Sequence, residues 1–110
     1  MKVPPEAIHS SERVQVVHYK KGGFFDLHHD STGFLKRQIT VLYYLNDVEG
    51  GGQTEFPEAE GGSIRAAPKK GDALIFYNLH PKTLSPDWAA VHKAHAVTRG
   101  VKWVANHWIS

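Results

Sequence analysis

Apolar and polar side chains alternate along this chain in short runs, and the spacing of an amphipathic helix is almost absent. The runs are rich in β-branched and aromatic residues and are separated by Gly, Pro, Asn and Asp, the pattern of short strands joined by turns. It predicts strands over residues 13–20, 24–30, 37–45, 54–56, 63–66, 72–77, 94–98 and 101–109. Turn chemistry falls between them at Gly22-Gly23, Asn46-Asp47, Gly50-Gly51-Gly52, Gly61-Gly62, Lys70-Gly71-Asp72 and Arg99-Gly100. Residues 39–45 and 73–77 are apolar on both faces, so both are expected to lie centrally in a sheet. Helical character is limited to a stub around Pro5 to Ser11 and a turn near Asp87 to Ala90. The longest connection is 79–90, with Pro81 and Pro86, and loops of that length commonly carry function. The expected fold is all-β, a sandwich or jelly roll with little or no helical support. A stub over 1–11 would precede a domain over 12–110.

Composition narrows the classes. At 110 residues the chain is one domain, and 41% hydrophobic with 22% charged residues is a globular mixture rather than a disordered one. A net charge of +2 is too weak a field to call for nucleic acid or a membrane surface as partner. No apolar run is long enough to cross a bilayer, so no membrane contact is expected of this segment. Residues 1–10 lack the basic start and apolar stretch of a signal peptide. With no cysteine, disulfides, thiolate metal sites and cysteine nucleophiles are excluded. The unusual number is eight histidines, a residue type that ligates metals, shuttles protons or senses pH.

Two places in the pattern carry chemistry. His28-His29-Asp30 ends a predicted strand, where alternation puts His28 and Asp30 on one face and His29 on the other. One imidazole and one carboxylate then face a common cation. A further histidine from a distant strand would complete a two-His, one-carboxylate triad with open positions on Fe(II). His92 follows the long loop, and ten residues later Lys102 sits in an otherwise apolar strand. A buried ammonium needs a partner, which a dicarboxylate ligand would supply. Lys102, Val104, Asn106 and Trp108 share one strand face, while Trp103, of opposite parity, is expected to pack in the core.

The stretches VQVVHYKKGGFFDLHHD, RQITVLYYLNDVEGGGQTEFP, PKKGDALIFYN and HKAHAVTRGVKWVANHWI resemble, in order and spacing, the catalytic domain of collagen-type prolyl 4-hydroxylases. The ending VTRGVKWVANHW is similar to the transmembrane type. The resemblance spans nearly the whole chain and implies an Fe(II)- and 2-oxoglutarate-dependent dioxygenase on a double-stranded β-helix, or jelly roll. It implies iron on His28, Asp30 and His92, and 2-oxoglutarate with its distal carboxylate on Lys102, assisted by Tyr19 and Thr54. A proline-containing peptide or protein would lie along Glu12, Phe25, Arg37 and Trp108, with Trp88 a further aromatic candidate. Dioxygen is the second co-substrate and ascorbate the supporting reductant. Hydroxylation at prolyl C4 would accompany conversion of 2-oxoglutarate to succinate and carbon dioxide. A lysine at position 102 separates the chain from the oxygen-sensing prolyl hydroxylases, lysyl hydroxylases and nucleic-acid demethylases, which usually use arginine there.

The chain departs from the family pattern on the substrate side. Phe25 replaces a tyrosine, and by ideal alternation it faces away from His28, so it needs a local bend to reach the site. The family's H-A-G-C-P-V reads His92-Lys93-Ala94-His95-Ala96-Val97 here, and Ser110 stands where a final histidine is often found. These changes keep two alternatives open: a non-catalytic metal- or peptide-binding module, and an oxygenase with a non-prolyl substrate. His9, His18, His29, His80, His95 and His107 are expected to be surface or packing residues.

Overall fold

The computed structural model describes residues 12–32 and 36–110. The predicted helical stub lies outside the described residues. In chain order the elements are β1 (Gln15–Tyr19), β2 (Phe25–His28), β3 (Ile39–Tyr44), β4 (Gly50–Gly51), β5 (Thr54–Phe56), β6 (Ile64–Ala66) and β7 (Ala73–Tyr77). A 3-10 turn at Trp88–Ala90 leads into β8 (His92–Ala94), β9 (Val97–Arg99) and β10 (Lys102–Ile109). Every strand pairing is antiparallel.

The chain winds back and forth between two four-stranded sheets, one ordered β1-β10-β3-β7 and the other β2-β8-β5-β6, with β4 and β9 forming a short ribbon. This is the jelly roll expected from the turn pattern. Alternation along β10 builds the wall that faces the second sheet. Lys102 is registered with Tyr19, Val104 with Val17 and Tyr44, Asn106 with Gln15 and Leu42, and Trp108 with Thr40. All of these side chains therefore share one face. Leu42, Tyr44 and Val104 form its buried core, packed by Val17, Tyr19 and Leu74, while Ile39, Val41 and Ile109 cluster on the other face.

Several expectations need correction. β3 is central as predicted, but among the described residues β7 pairs only with β3 and is an edge strand, with Ile75 and Tyr77 48% and 46% exposed. Its apolar run does not distinguish burial between strands from cover over an edge. The strand expected over 94–98 is divided between β8 and β9. At the break the His95 amide donates to the Gln53 carbonyl and the Gly52 amide to the Ala96 carbonyl, so the chain changes partners there. Gly50–Gly51, read as part of a turn, pairs with β9 instead. Gly51 has φ +72, and a Cβ on it would collide with the Ala96 carbonyl oxygen, so only glycine permits this approach. Trp103 is not in the core. It is 41% exposed on the outer face, where it stacks on His18 at 4.1 Å. The predicted turn near Asp87 is present, with the Asp87 carboxylate accepting from the Ala89 amide at 3.0 Å.

Candidate functional site

β2 and β8 run side by side with His28 registered directly opposite His92, which brings their rings to 4.2 Å. Each ring bonds through Nδ1 to a carbonyl two residues earlier, His28 to Asp26 at 2.7 Å and His92 to Ala90 at 2.8 Å. A carbonyl only accepts, so Nδ1 carries the proton and the Nε2 lone pair is left for a ligand. Both Nε2 atoms lie 3.4 Å from Asp30 Oδ1. One ligand atom from each of His28, Asp30 and His92 falls within 4.8 Å of the others, with His92 and Asp30 buried.

Asp30 lies just past the end of β2, and its geometry is set from outside the strand. Oδ2 accepts from the Thr40 hydroxyl at 2.6 Å and from Trp108 Nε1 at 3.3 Å. Burial pushes the Asp30 carboxyl up, but hydrogen bonds from the protonated forms of His28 and His92, the charge of protonated His92 and the Thr40 hydroxyl outweigh it, holding the group well below the usual carboxylate range. At His28 burial acts downward, and the hydrogen bonds to Asp30 and to the Asp26 carbonyl, with the Asp30 charge, reverse it to give a net rise. The cluster thus attracts positive charge, and a divalent cation competes with protons for these atoms. The His29 ring is not part of the metal-ligating cluster. Its Nδ1 accepts from the Ser31 amide at 3.0 Å and its Nε2 donates to the Asp87 carbonyl at 3.0 Å, tying the bend that carries Asp30 to the loop before β8.

A cavity of about 560 Å³ lies over this cluster, lined also by Tyr19, Phe25, Arg37, Thr54, Lys102 and Trp108. Lys102 is 2% exposed; its Nζ donates to the Gly52 carbonyl at 2.8 Å and lies 4.9 Å above the Tyr19 ring. No carboxylate among the described residues pairs with it, and burial lowers its pKa to about 8. Thr54 and Tyr44, both 2% exposed, share a hydroxyl hydrogen bond of 2.7 Å beside it. Burial raises the Tyr19 phenol above its ordinary value.

The bend that Phe25 needs is present. Pairing of Phe25 with Ala94 and of His28 with His92 sets an extra residue into β2, and this bulge brings the Phe25 ring to 3.9 Å from His28. Arg37 lies 3.9 Å over the Trp108 ring. Glu12 does not line the cavity; it holds Arg37 through a paired contact of 2.7 and 3.1 Å. Trp88 does not line it either. It is 60% exposed and packs on His29. Sequence reasoning missed Thr40, Asn78, Tyr44 and Gly52. Thr40 and Tyr44 left a signal, hydroxyls in the run Ile39–Tyr44 on the same face as Trp108 and Lys102.

This fold and cluster define the class. The chain belongs to the 2OG-Fe(II) oxygenase superfamily, which it matches over residues 14–110. Within it, the chain is 36% identical to probable prolyl 4-hydroxylase 4 of Arabidopsis thaliana over 91% of its own length, and 30% identical to the transmembrane prolyl 4-hydroxylase of Homo sapiens over 99%. It spans 42% and 32% of those two proteins. The viral collagen prolyl hydroxylase of Paramecium Bursaria Chlorella virus-1, solved as its 2OG complex, superposes with a TM-score of 0.80 at 34% identity. That match covers 90% of this chain and 58% of the viral one. Among the described residues, no helix is long and apolar enough to cross a membrane.

Proposed function

We propose that this domain is an Fe(II)- and 2-oxoglutarate-dependent dioxygenase that hydroxylates prolyl residues at C4 in peptides or proteins. The observation that carries the reading is a two-His, one-carboxylate cluster sharing a cavity with a buried lysine that no carboxylate among the described residues neutralises. The donor set fits iron: two imidazole nitrogens and one carboxylate oxygen suit a borderline divalent metal and leave positions free. His28, Asp30 and His92 would hold it. When bound, iron supplies the oxidising chemistry, in which dioxygen and 2-oxoglutarate are consumed, carbon dioxide and succinate leave, and a substrate C–H becomes C–OH.

The chain's own residues bind and orient. Lys102 takes the distal carboxylate of 2-oxoglutarate in a charge-assisted contact, with the Thr54 hydroxyl and the Tyr19 phenol as further donors. The Gly52 carbonyl occupies one Nζ proton and aims the others into the cavity. Burial of Lys102, Thr54 and Tyr44 keeps water from that end, where the ion pair is stronger for it. Phe25, Arg37 and Trp108 form the peptide wall, and Glu12 fixes Arg37 in place. A proline-rich segment suits such a wall because its extended conformation is already ordered before binding. The names of the relatives, all prolyl hydroxylases, support this substrate class.

The test is succinate release by the protein with Fe(II), 2-oxoglutarate and a proline-rich peptide, with mass spectrometry locating the added oxygen. Peptide-dependent succinate and hydroxylation at C4 are expected. A folded, metal-loaded sample with no turnover would leave a binding module. Turnover stimulated only by other substrates would replace the prolyl assignment.

A further inference from the structure

Asp30, the carboxylate of the proposed iron site, has a supporting chain of its own, built from two residues that sequence reasoning passed over. Thr40 is 1% exposed and Asn78 0% exposed, and neither is on a ligand strand. Asn78 Nδ2 donates to Thr40 Oγ1 at 2.7 Å, and the Thr40 hydroxyl donates to Asp30 Oδ2 at 2.6 Å. The direction is forced. An amide nitrogen only donates, so Thr40 must accept from Asn78 and turn its single proton toward Asp30. The Asn78 Oδ1 atom is buried and has no partner among the described residues. A buried acceptor left bare costs stability, and in this contact the amide acts through its Nδ2 donor alone.

We propose that Thr40, held by Asn78, is a positioning residue that commits Asp30 Oδ2 away from the metal and leaves Oδ1 as the only carboxylate oxygen facing His28 and His92. The two oxygens already have different surroundings. Oδ1 is 3.4 Å from both Nε2 atoms, whereas Oδ2 receives Thr40 and, at 3.3 Å, Trp108. A carboxylate that turns both oxygens to a cation takes an extra coordination position and blocks one that a chelating 2-oxo acid needs. Thr40 prevents that rotation. The proposal rests on the proposed iron site, and the experiment separates the two.

Co(II), a redox-stable stand-in for iron, is titrated into wild-type protein, Thr40→Val, Thr40→Ser and Asn78→Ala, with affinity and the visible Co(II) spectrum recorded. Folding is checked by melting of the metal-free proteins. If wild type binds no Co(II), the metal-site reading itself fails. With wild-type binding in hand, Thr40→Val is expected to weaken Co(II) by ten- to a hundredfold, as for other groups that orient metal ligands, and to change the spectrum. Thr40→Ser, which restores the donor, should keep both near wild type. Asn78→Ala should weaken binding severalfold in the same direction. A merely structural role would lower melting temperatures without a spectral change that serine repairs. Thr40→Val binding Co(II) with wild-type affinity and spectrum overturns the proposal, and unchanged binding in Asn78→Ala removes Asn78 from it. Should Thr40→Val not fold, Thr40→Ala, with room for a water, provides the same comparison.

Discussion

Lys102 Nζ donates to the Gly52 carbonyl at 2.8 Å, and its stem lies so close to that residue that a Cβ on Gly52 would sit 3.2 Å from Lys102 Cδ. Gly52 also has φ +73, where side chains are strained. Gly52→Ala is therefore expected to destabilise the domain by roughly 1–3 kcal/mol and to weaken 2-oxoglutarate binding by displacing the lysine. Chemical denaturation and a 2-oxoglutarate titration measure the two effects. Unaltered 2-oxoglutarate affinity would show that Gly52 does not position Lys102.

Removing the charge tests Lys102 directly. Lys102→Met keeps most of the buried stem and deletes the ammonium. A hydrogen bond to a charged group contributes about 1.5–3 kcal/mol, so the 2-oxoglutarate requirement should rise roughly ten- to a hundredfold. Metal affinity in the absence of 2-oxoglutarate should stay within about twofold of wild type, because Lys102 is not in the metal cluster. A normal 2-oxoglutarate requirement would take Lys102 out of this role.

The same lysine predicts a pH dependence. Burial lowers its pKa from 10.5 to about 8, and the neighbouring Tyr19 phenol is raised, so Tyr19 stays neutral across this window. The carboxylate needs the ammonium, so 2-oxoglutarate affinity should be level below about pH 8 and fall above it, approaching tenfold per pH unit. Lys102→Met should lose that dependence. Stability of the ligand-free protein moves the other way. Between about pH 8 and 10.5 the unfolded chain binds more protons at this lysine than the folded one, so this group's contribution to stability rises with pH.

His92 is a proposed metal ligand through Nε2, and its Nδ1 is already committed to the Ala90 carbonyl. His92→Ala should abolish binding of Fe(II) or Mn(II) at micromolar concentrations under anaerobic calorimetry, leaving an imidazole and a carboxylate that bind weakly. Wild-type protein should gain thermal stability on metal addition, since binding favours the folded state, and the variant should not. Equal affinity in the two proteins would mean that the ligand set is misassigned.

Arg37 makes two contacts that lysine cannot reproduce, a forked pairing with Glu12 and a guanidinium carbon 3.9 Å over the Trp108 ring. Arg37→Lys should raise the peptide KM severalfold and leave the 2-oxoglutarate requirement unchanged. A change confined to the 2-oxoglutarate requirement would place Arg37 outside the peptide wall.

What could be read along the chain was whatever depends on local period. Alternation put Lys102, Val104, Asn106 and Trp108 on one face, and the pairing of β10 with β1 and β3 agrees. Turn residues divided most of the strands correctly, and the motif spacing identified the family. What could not be read was the choice of neighbour. Ala73–Tyr77 has the composition of a central strand and lies at an edge, because an apolar run looks the same whether a strand or another layer covers it. Phe25 reaches the site only through a bulge, which depends on how β2 registers against β8. Thr40 and Asn78 are 38 residues apart, and their hydrogen bond exists only because β3 and the end of β7 lie side by side.

By itself the sequence determined the candidate ligand residues, the strand face that carries the lysine, and the family, since each is written in residue identity and a period of two. Only the tertiary structure decided which oxygen of Asp30 faces the histidines, that Lys102 is buried with no carboxylate among the described residues to pair with it, and that Glu12 serves Arg37. The reason is physical: those are properties of contacts between distant segments, and their energies arise when the two sheets close over one cavity.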